Sequence, residues 1–164
     1  MRMNKMLCIK EVSTQMKKVI AWLFFSVLVA MLFFPLGMYT YTINLVEKMP
    51  EKSNIGLSQA QAIELWKSKE KCSPDQCASI TPYWIYSWIF TALVNDLVTP
   101  VNTDSLNDRL SIMSSQIALQ HLREGNFKGK GMLWWHLTHL NLCIWLQRNW
   151  SAYEIASKYT SNNA

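Results

Sequence analysis

No stretch of this chain alternates strictly between apolar and polar residues, which is the pattern of a strand with one face in a core. That absence excludes a half-buried antiparallel sheet and leaves helices as the building material. No internal repeat and no low-complexity segment occurs either, so solenoid arrays and long disordered linkers are excluded. Charge is scarce: 16% of the 164 residues are Asp, Glu, Lys or Arg, while 50% are hydrophobic. That is rich in apolar groups for a soluble domain of this length. The scarcity is also concentrated. From Val19 to Val46 there is no charged residue at all.

A helix crossing a bilayer core needs about 20 apolar residues. The segment "VIAWLFFSVLVAMLFF" is the densest part of the charge-free run. Arg2, Lys5, Lys10, Lys17 and Lys18 precede it against a single Glu11, whereas Glu47, Lys48, Glu51 and Lys52 behind it cancel. This asymmetry places the N-terminus in the cytoplasm and the rest of the chain outside. Pro35 and Gly37 are expected to end or kink the helix near the outer leaflet. A cleaved signal peptide is the competing reading. The run is long for a signal sequence and no small-x-small cleavage site follows it, which favours an uncleaved anchor. The net charge of +5 resides largely in the tail, where anionic headgroups attract it. The remainder is close to neutral and gives no reason to name nucleic acid as a partner. The chain thus divides into a tail (1–18), an anchor (19–46), a connector (47–57) and a small helical domain (58–164).

Within that domain Ser58 is placed to cap a helix over "QAQAIELWKSKEK". Thr81 and Pro82 can start another over the apolar "YWIYSWIFTALV", too short for a second span and suited to a core or a membrane interface. "NDLVTPVNTDSLND" reads as a loop. In "RLSIMSSQIALQHLRE" the residues Leu110, Met113, Ile117 and Leu122 recur at helical spacing. "GNFKGKG" is a basic, glycine-rich break whose charges suit either solvent or lipid phosphate. A helix pair closes the chain, the second member capped by Ser151 and Glu154 in a capping box.

Cys72 and Cys77 flank a turn-forming Ser-Pro-Asp, and in an oxidising compartment a local disulfide is favoured over free thiols. Zinc would need two further ligands, and none stands at a familiar spacing. His136, His139 and Cys143 fall at i, i+3 and i+7 on one helical face. They are weak metal candidates, since the fourth ligand would have to be a remote residue such as His121; packing among Trp134, Trp135, Leu137 and Leu140 is the favoured reading.

The closing segment carries Leu146, Trp150, Ser151, Glu154, Ile155 and Tyr159 in an order that resembles the final motif of glycosyltransferase family 51, the peptidoglycan transglycosylases that polymerise lipid II. Upstream, "SIMSSQIA" is similar to the family's Ser-Thr-Ile-Thr-Gln-Gln motif through Ser111, Ser114, Gln116 and Ala118. The resemblance covers Arg109 to Asn162 and implies a mostly α, lysozyme-like domain held by one N-terminal membrane helix. It also implies substrate contacts at Ser111, Ser114 and Gln116, with residue 139 on the floor of a cleft beside Gln116.

The reaction itself is not implied. Of the family's two catalytic glutamates, the first corresponds to Ala92 or Asn95 and the second to His139; Thr138 and Leu119 stand where basic residues belong, and Gln147 where a glutamate is frequent. A general base must be titratable and within reach of its proton. The glycine pair before Ser111 is missing and the linker after Asp104 is short. The expectation is a degenerate, truncated relative of these enzymes, without cofactor, in a bacterial inner membrane. Its domain would be periplasmic, with lipid II, glycan strands or a peptidoglycan synthase as partner. One alternative is an active or altered glycan enzyme using Asp96, Asp104, Glu124 or His139. The other is an unrelated helical adaptor of an envelope complex.

Overall fold

The structure is a computed structural model that describes residues 3–53, 57–70, 73–78, 80–84, 86 and 110–163. Among the described residues it is mostly helical, with six helices and, in place of any strand, one isolated pairing of Val46 with Phe127. Two compact units are present, Met1–Gly37 and Met38–Ala164.

The first unit is formed by the greater part of helix α1 (Met3–Asn44). The 30 residues from Gln15 to Asn44 are long and apolar enough to cross a membrane. At 1.5 Å per residue they reach about 45 Å, against about 30 Å of hydrocarbon. Trp22 and Phe24 are 70% and 71% exposed, and the apolar side chains around them are uncovered in the same way. Lipid satisfies such a surface; water does not. Pro35 and Gly37 do not end the helix, which continues to Asn44. Of the two expected outcomes, an end or a kink, the end is thereby excluded. A proline removes one ladder bond, but in hydrocarbon every other backbone group must still be satisfied within the segment, so the helix persists through it. α1 also begins at Met3, within the stretch assigned to the tail.

The second unit contains the last turns of α1 and helices α2 (Gln59–Lys69), α3 (Pro74–Ala78), α4 (Ile112–Arg123), α5 (Met132–Asn149) and α6 (Ala152–Asn163). α4 packs on both α5 and α6, α2 lies on α6, and α3 on α5. The apolar positions read from the sequence, Met113, Ile117 and Leu122, are buried here with Leu142, Leu146, Ile155 and Trp66. Fully burying a leucine or isoleucine contributes about 1.5–3 kcal/mol, so this helix sandwich carries much of the unit's stability. Ser58 and Gln61 form a capping box at the start of α2. Ser151 and Glu154 form another at α6, with Ser151 N donating to Glu154 Oε2 at 2.7 Å and Glu154 N to Ser151 Oγ at 3.3 Å. Lys52 pairs with the same Glu154.

The end of α1 is built into this unit. Asn141 Nδ2 donates to the buried Thr42 hydroxyl at 2.8 Å, and Tyr41 meets Trp134 edge-on with ring centroids 4.9 Å apart. Just past the helix, Glu47 N donates to Asn126 O at 2.9 Å and Lys128 N to Leu45 O at 2.8 Å. "GNFKGKG" is therefore held against residues 45–47. Gly129 permits it: a Cβ there would stand 2.3 Å from the Phe127 ring. Gly131 (φ 89°) opens α5 without a side-chain cap. Of the apolar helix expected after Thr81, Trp84 is buried beside Ile80 and Ile144; most of that helix and the whole loop after it lie outside the described residues.

Candidate functional site

The two segments that carry the family resemblance converge on one recess. α4 turns Gln116, Leu119, Gln120 and Arg123 toward α6, and α6 answers with Tyr159, Asn162 and Asn163. Together they line a polar depression of about 390 Å³. The i, i+3, i+4 and i+7 spacing puts the four α4 residues on one face. Asn163 Nδ2 is spent on Tyr159 O at 2.7 Å, and Gln120 Nε2 donates to Glu124 Oε1 at 3.2 Å. Carboxamides, a phenol and one guanidinium remain at the lining, and no carboxylate is among them. Such a set can hydrogen-bond hydroxyls, amides or an anion. It has no group suited to moving a proton near neutrality.

Ser111 and Ser114 are not in that recess. Both are fully buried. Ser111 caps α4: its Oγ accepts from Ser114 N at 3.1 Å and donates to Glu70 Oε1 at 2.8 Å. Glu70 is the residue that sequence reasoning missed. It terminates α2, and its carboxylate also accepts from Ile112 N and Met113 N, each at 2.8 Å. A carboxylate at a helix N-terminus satisfies orphan amides and complements the helix dipole. Nothing in "ELWKSKEK" separates Glu70 from the solvent-exposed Glu64 before it, and the contact spans 41 residues.

His139 and Gln116 face different neighbours. Gln116 lines the recess with α6, whereas His139 lies between α4 and α5. Its Nε2 is 3.0 Å from the Ser115 carbonyl, which only accepts, so Nε2 carries the proton. The ring stacks on Trp135 with centroids 5.8 Å apart. Burial holds its pKa below the ordinary 6.5, opposed by the Ser115 bond. The imidazole is therefore neutral at physiological pH, with its donor committed. Cys143 Sγ lies 3.7 Å from the same nitrogen, and complete burial pushes its thiol up to about 12; such a thiol is inert as a nucleophile.

His136 is exposed on the next turn, and His121 bonds the Lys48 carbonyl instead of joining the other two. Among the described residues, no group of three or more His, Cys, Asp or Glu side chains could hold one metal ion. Cys77 is disulfide-bonded; Cys72 lies outside the described residues, as do Ala92, Asn95, Asp96 and Asp104. A second, apolar recess of about 230 Å³ is lined by Ala62, Ile63, Trp66, Pro74 and Tyr153, among others.

The chain matches no protein-family model, no curated protein and no solved structure.

Proposed function

We propose that this protein is a membrane-anchored relative of the peptidoglycan transglycosylases that binds wall material without polymerising it. In this reading α1 holds it in a bacterial inner membrane, the helical domain faces the periplasm, and its ligand is a glycan strand or lipid II, alone or carried by a peptidoglycan synthase. The observation that carries the reading is the polar recess between α4 and α6. Both resembling segments contribute to it, through Gln116 on one side and Tyr159 and Asn162 on the other. Amides and a phenol are the groups that recognise sugar hydroxyls and N-acetyl groups. Arg123 lies one turn beyond Leu119, the position where the family carries a basic residue, and supplies a cation to the same lining.

Titration of the full-length protein in lipid nanodiscs with soluble glycan strands and with lipid II tests this. Saturable binding is expected, weakened about tenfold by Gln116→Ala or Tyr159→Ala, the effect of losing roughly one hydrogen bond or ring contact. Absence of saturable binding to both ligands, with no cell-wall enzyme captured by crosslinking, overturns the proposal.

Glu70 favours one second reading, an altered glycan-cleaving enzyme. It is a carboxylate held against the Ser111 motif, where the sequence had offered none, and some glycosidases use one protein acid together with the substrate's own N-acetyl group. Against it, the Glu70 carboxylate is spent on the start of α4, accepting from the Ser111 hydroxyl and from the Ile112 and Met113 amides. Glycan cleavage above a protein-free blank, lost in Glu70→Gln at unchanged helicity, would establish this second reading over the first.

A further inference from the structure

We infer that the first turn of α5, with the loop before it, is a membrane-docking edge: Met132 and Leu133 enter the lipid interface while Lys128 and Lys130 meet the headgroup phosphates. Met132 and Leu133 are 73% and 66% exposed, the most uncovered large apolar side chains among the described residues of the second unit. Two adjacent apolar residues left open at a helix start, with lysines at their flank, have the composition of an interfacial anchor.

The occupant is fixed by where the chain leaves the apolar span. Trp134, the next residue in α5, packs on Tyr41, and Tyr41 lies three residues before the end of the span at Asn44. At 1.5 Å per residue Tyr41 is about 4.5 Å below that end. Trp134 therefore packs on the last turn of the span, and Trp and Tyr are the side chains that collect at a membrane–water boundary. On the other side, the backbone bonds of Asn126 and Lys128 to Glu47 and Leu45 hold the loop beside the residues that follow the span. Met132 and Leu133 stand between these two fixed points. Lys128 and Lys130 are exposed, and among the described residues neither is in an ion pair. Each lysine near an anionic surface adds attraction that salt screens.

The experiment uses the full chain in nanodiscs, with a polarity-sensitive dye at Met132→Cys or Leu133→Cys in a Cys8→Ser background. Ser151→Cys, at the far capping box, serves as the reference. Nanodiscs of phosphatidylcholine alone are compared with nanodiscs containing phosphatidylglycerol. Spin-labelled lipid is expected to quench the dye at 132 and 133 by about twofold or more, as for a group at the headgroup–acyl boundary, and to leave 151 unchanged. Aqueous iodide should do the reverse. Lys128→Gln with Lys130→Gln should abolish any gain on adding phosphatidylglycerol. Met132→Ser with Leu133→Ser, which removes only exposed side chains, should keep the melting profile and helicity while a dye at Lys130→Cys loses its lipid quenching. Iodide quenching at 132 and 133 equal to that at 151, with no effect of spin-labelled lipid, overturns the inference. Quenching that is insensitive to both lysines and serines overturns it as well, because the dye would then be reporting its own affinity for lipid.

Discussion

Helices α1 and α5 are both rich in Leu and other large apolar residues, yet they treat them in opposite ways. α1 leaves Trp22, Phe24 and Phe33 open on all sides. α5 buries Leu142, Ile144 and Leu146 to 1% exposure or less. The difference lies in the polar residues placed among the apolar ones. α5 carries Asn141 and Gln147 inward, and each has a partner waiting: the Thr42 hydroxyl for Asn141, and the Cys77 carbonyl, 3.2 Å from Nε2, for Gln147. Most polar groups admitted to a core have such a partner, although Thr138, also on α5, is fully buried with its hydroxyl unpaired among the described residues. α1 holds no charged side chain from Val19 to its end, so lipid can cover every face without stranding a charge. Apolar content says that a helix avoids water; the placement of its few polar groups says whether protein or lipid replaces that water.

Matched truncations break the comparison most sharply. Leu146→Ala should cost the domain about 2–5 kcal/mol, because a packed core cannot collapse around the space. The same change at Leu28 should leave the domain's melting temperature in nanodiscs unchanged, because fluid lipid fills the gap. Equal losses at both sites would mean that Leu28 is covered by protein. Next in size is Glu70→Ala. It strands the Ser111 hydroxyl and the amides of Ile112 and Met113, and about 1–3 kcal/mol of stability should go. Glu70→Gln, which keeps acceptor capacity, should recover part of it. Hydrogen exchange at the α4 N-terminus reads this directly.

The smallest effect is a pH dependence at the α4–α5 contact. Burial lowers the His139 pKa in the folded state, so the unfolded chain takes up its proton first as pH falls. The stability that neutral His139 contributes is whole above about 6.5 and declines below it, down to the folded-state value. Melting at pH about 7.5 and about 5.5 should show this loss, and His139→Gln should remove that part of the slope. Glu154 titrates separately. Its bonds to Lys52 and Ser151 hold it below the usual carboxylate range, so its share is lost only in more acidic solution.

Local features were legible because their cause is local. A charge-free run longer than a bilayer is thick, a Ser-x-x-Glu before an apolar stripe, and Met113, Ile117 and Leu122 at helical spacing each need only a few neighbouring residues to be read. The site was legible only in part. Gln116 was singled out, but Arg123, Tyr159 and Asn162 belong to its recess for a reason no spacing contains, the packing of α4 on α6. The serines chosen beside Gln116 cap and fill the start of α4. His139 bonds Ser115 on another face, because a helix turns 100° per residue and neighbouring motif positions point apart.

What the sequence determined by itself is a division: one segment long and apolar enough to cross a membrane, and a remainder with enough polar positions to fold as a small helical domain. What only the tertiary structure decided is which distant groups complete each other. Glu70 closes α4 across 41 residues, and Thr42 receives Asn141 across 99. Residues 45–47 take up the backbone bonds of 126–128. The physical reason is the same in each case. A buried polar group must find a partner, and the chain specifies that need locally while only the packed fold determines who meets it.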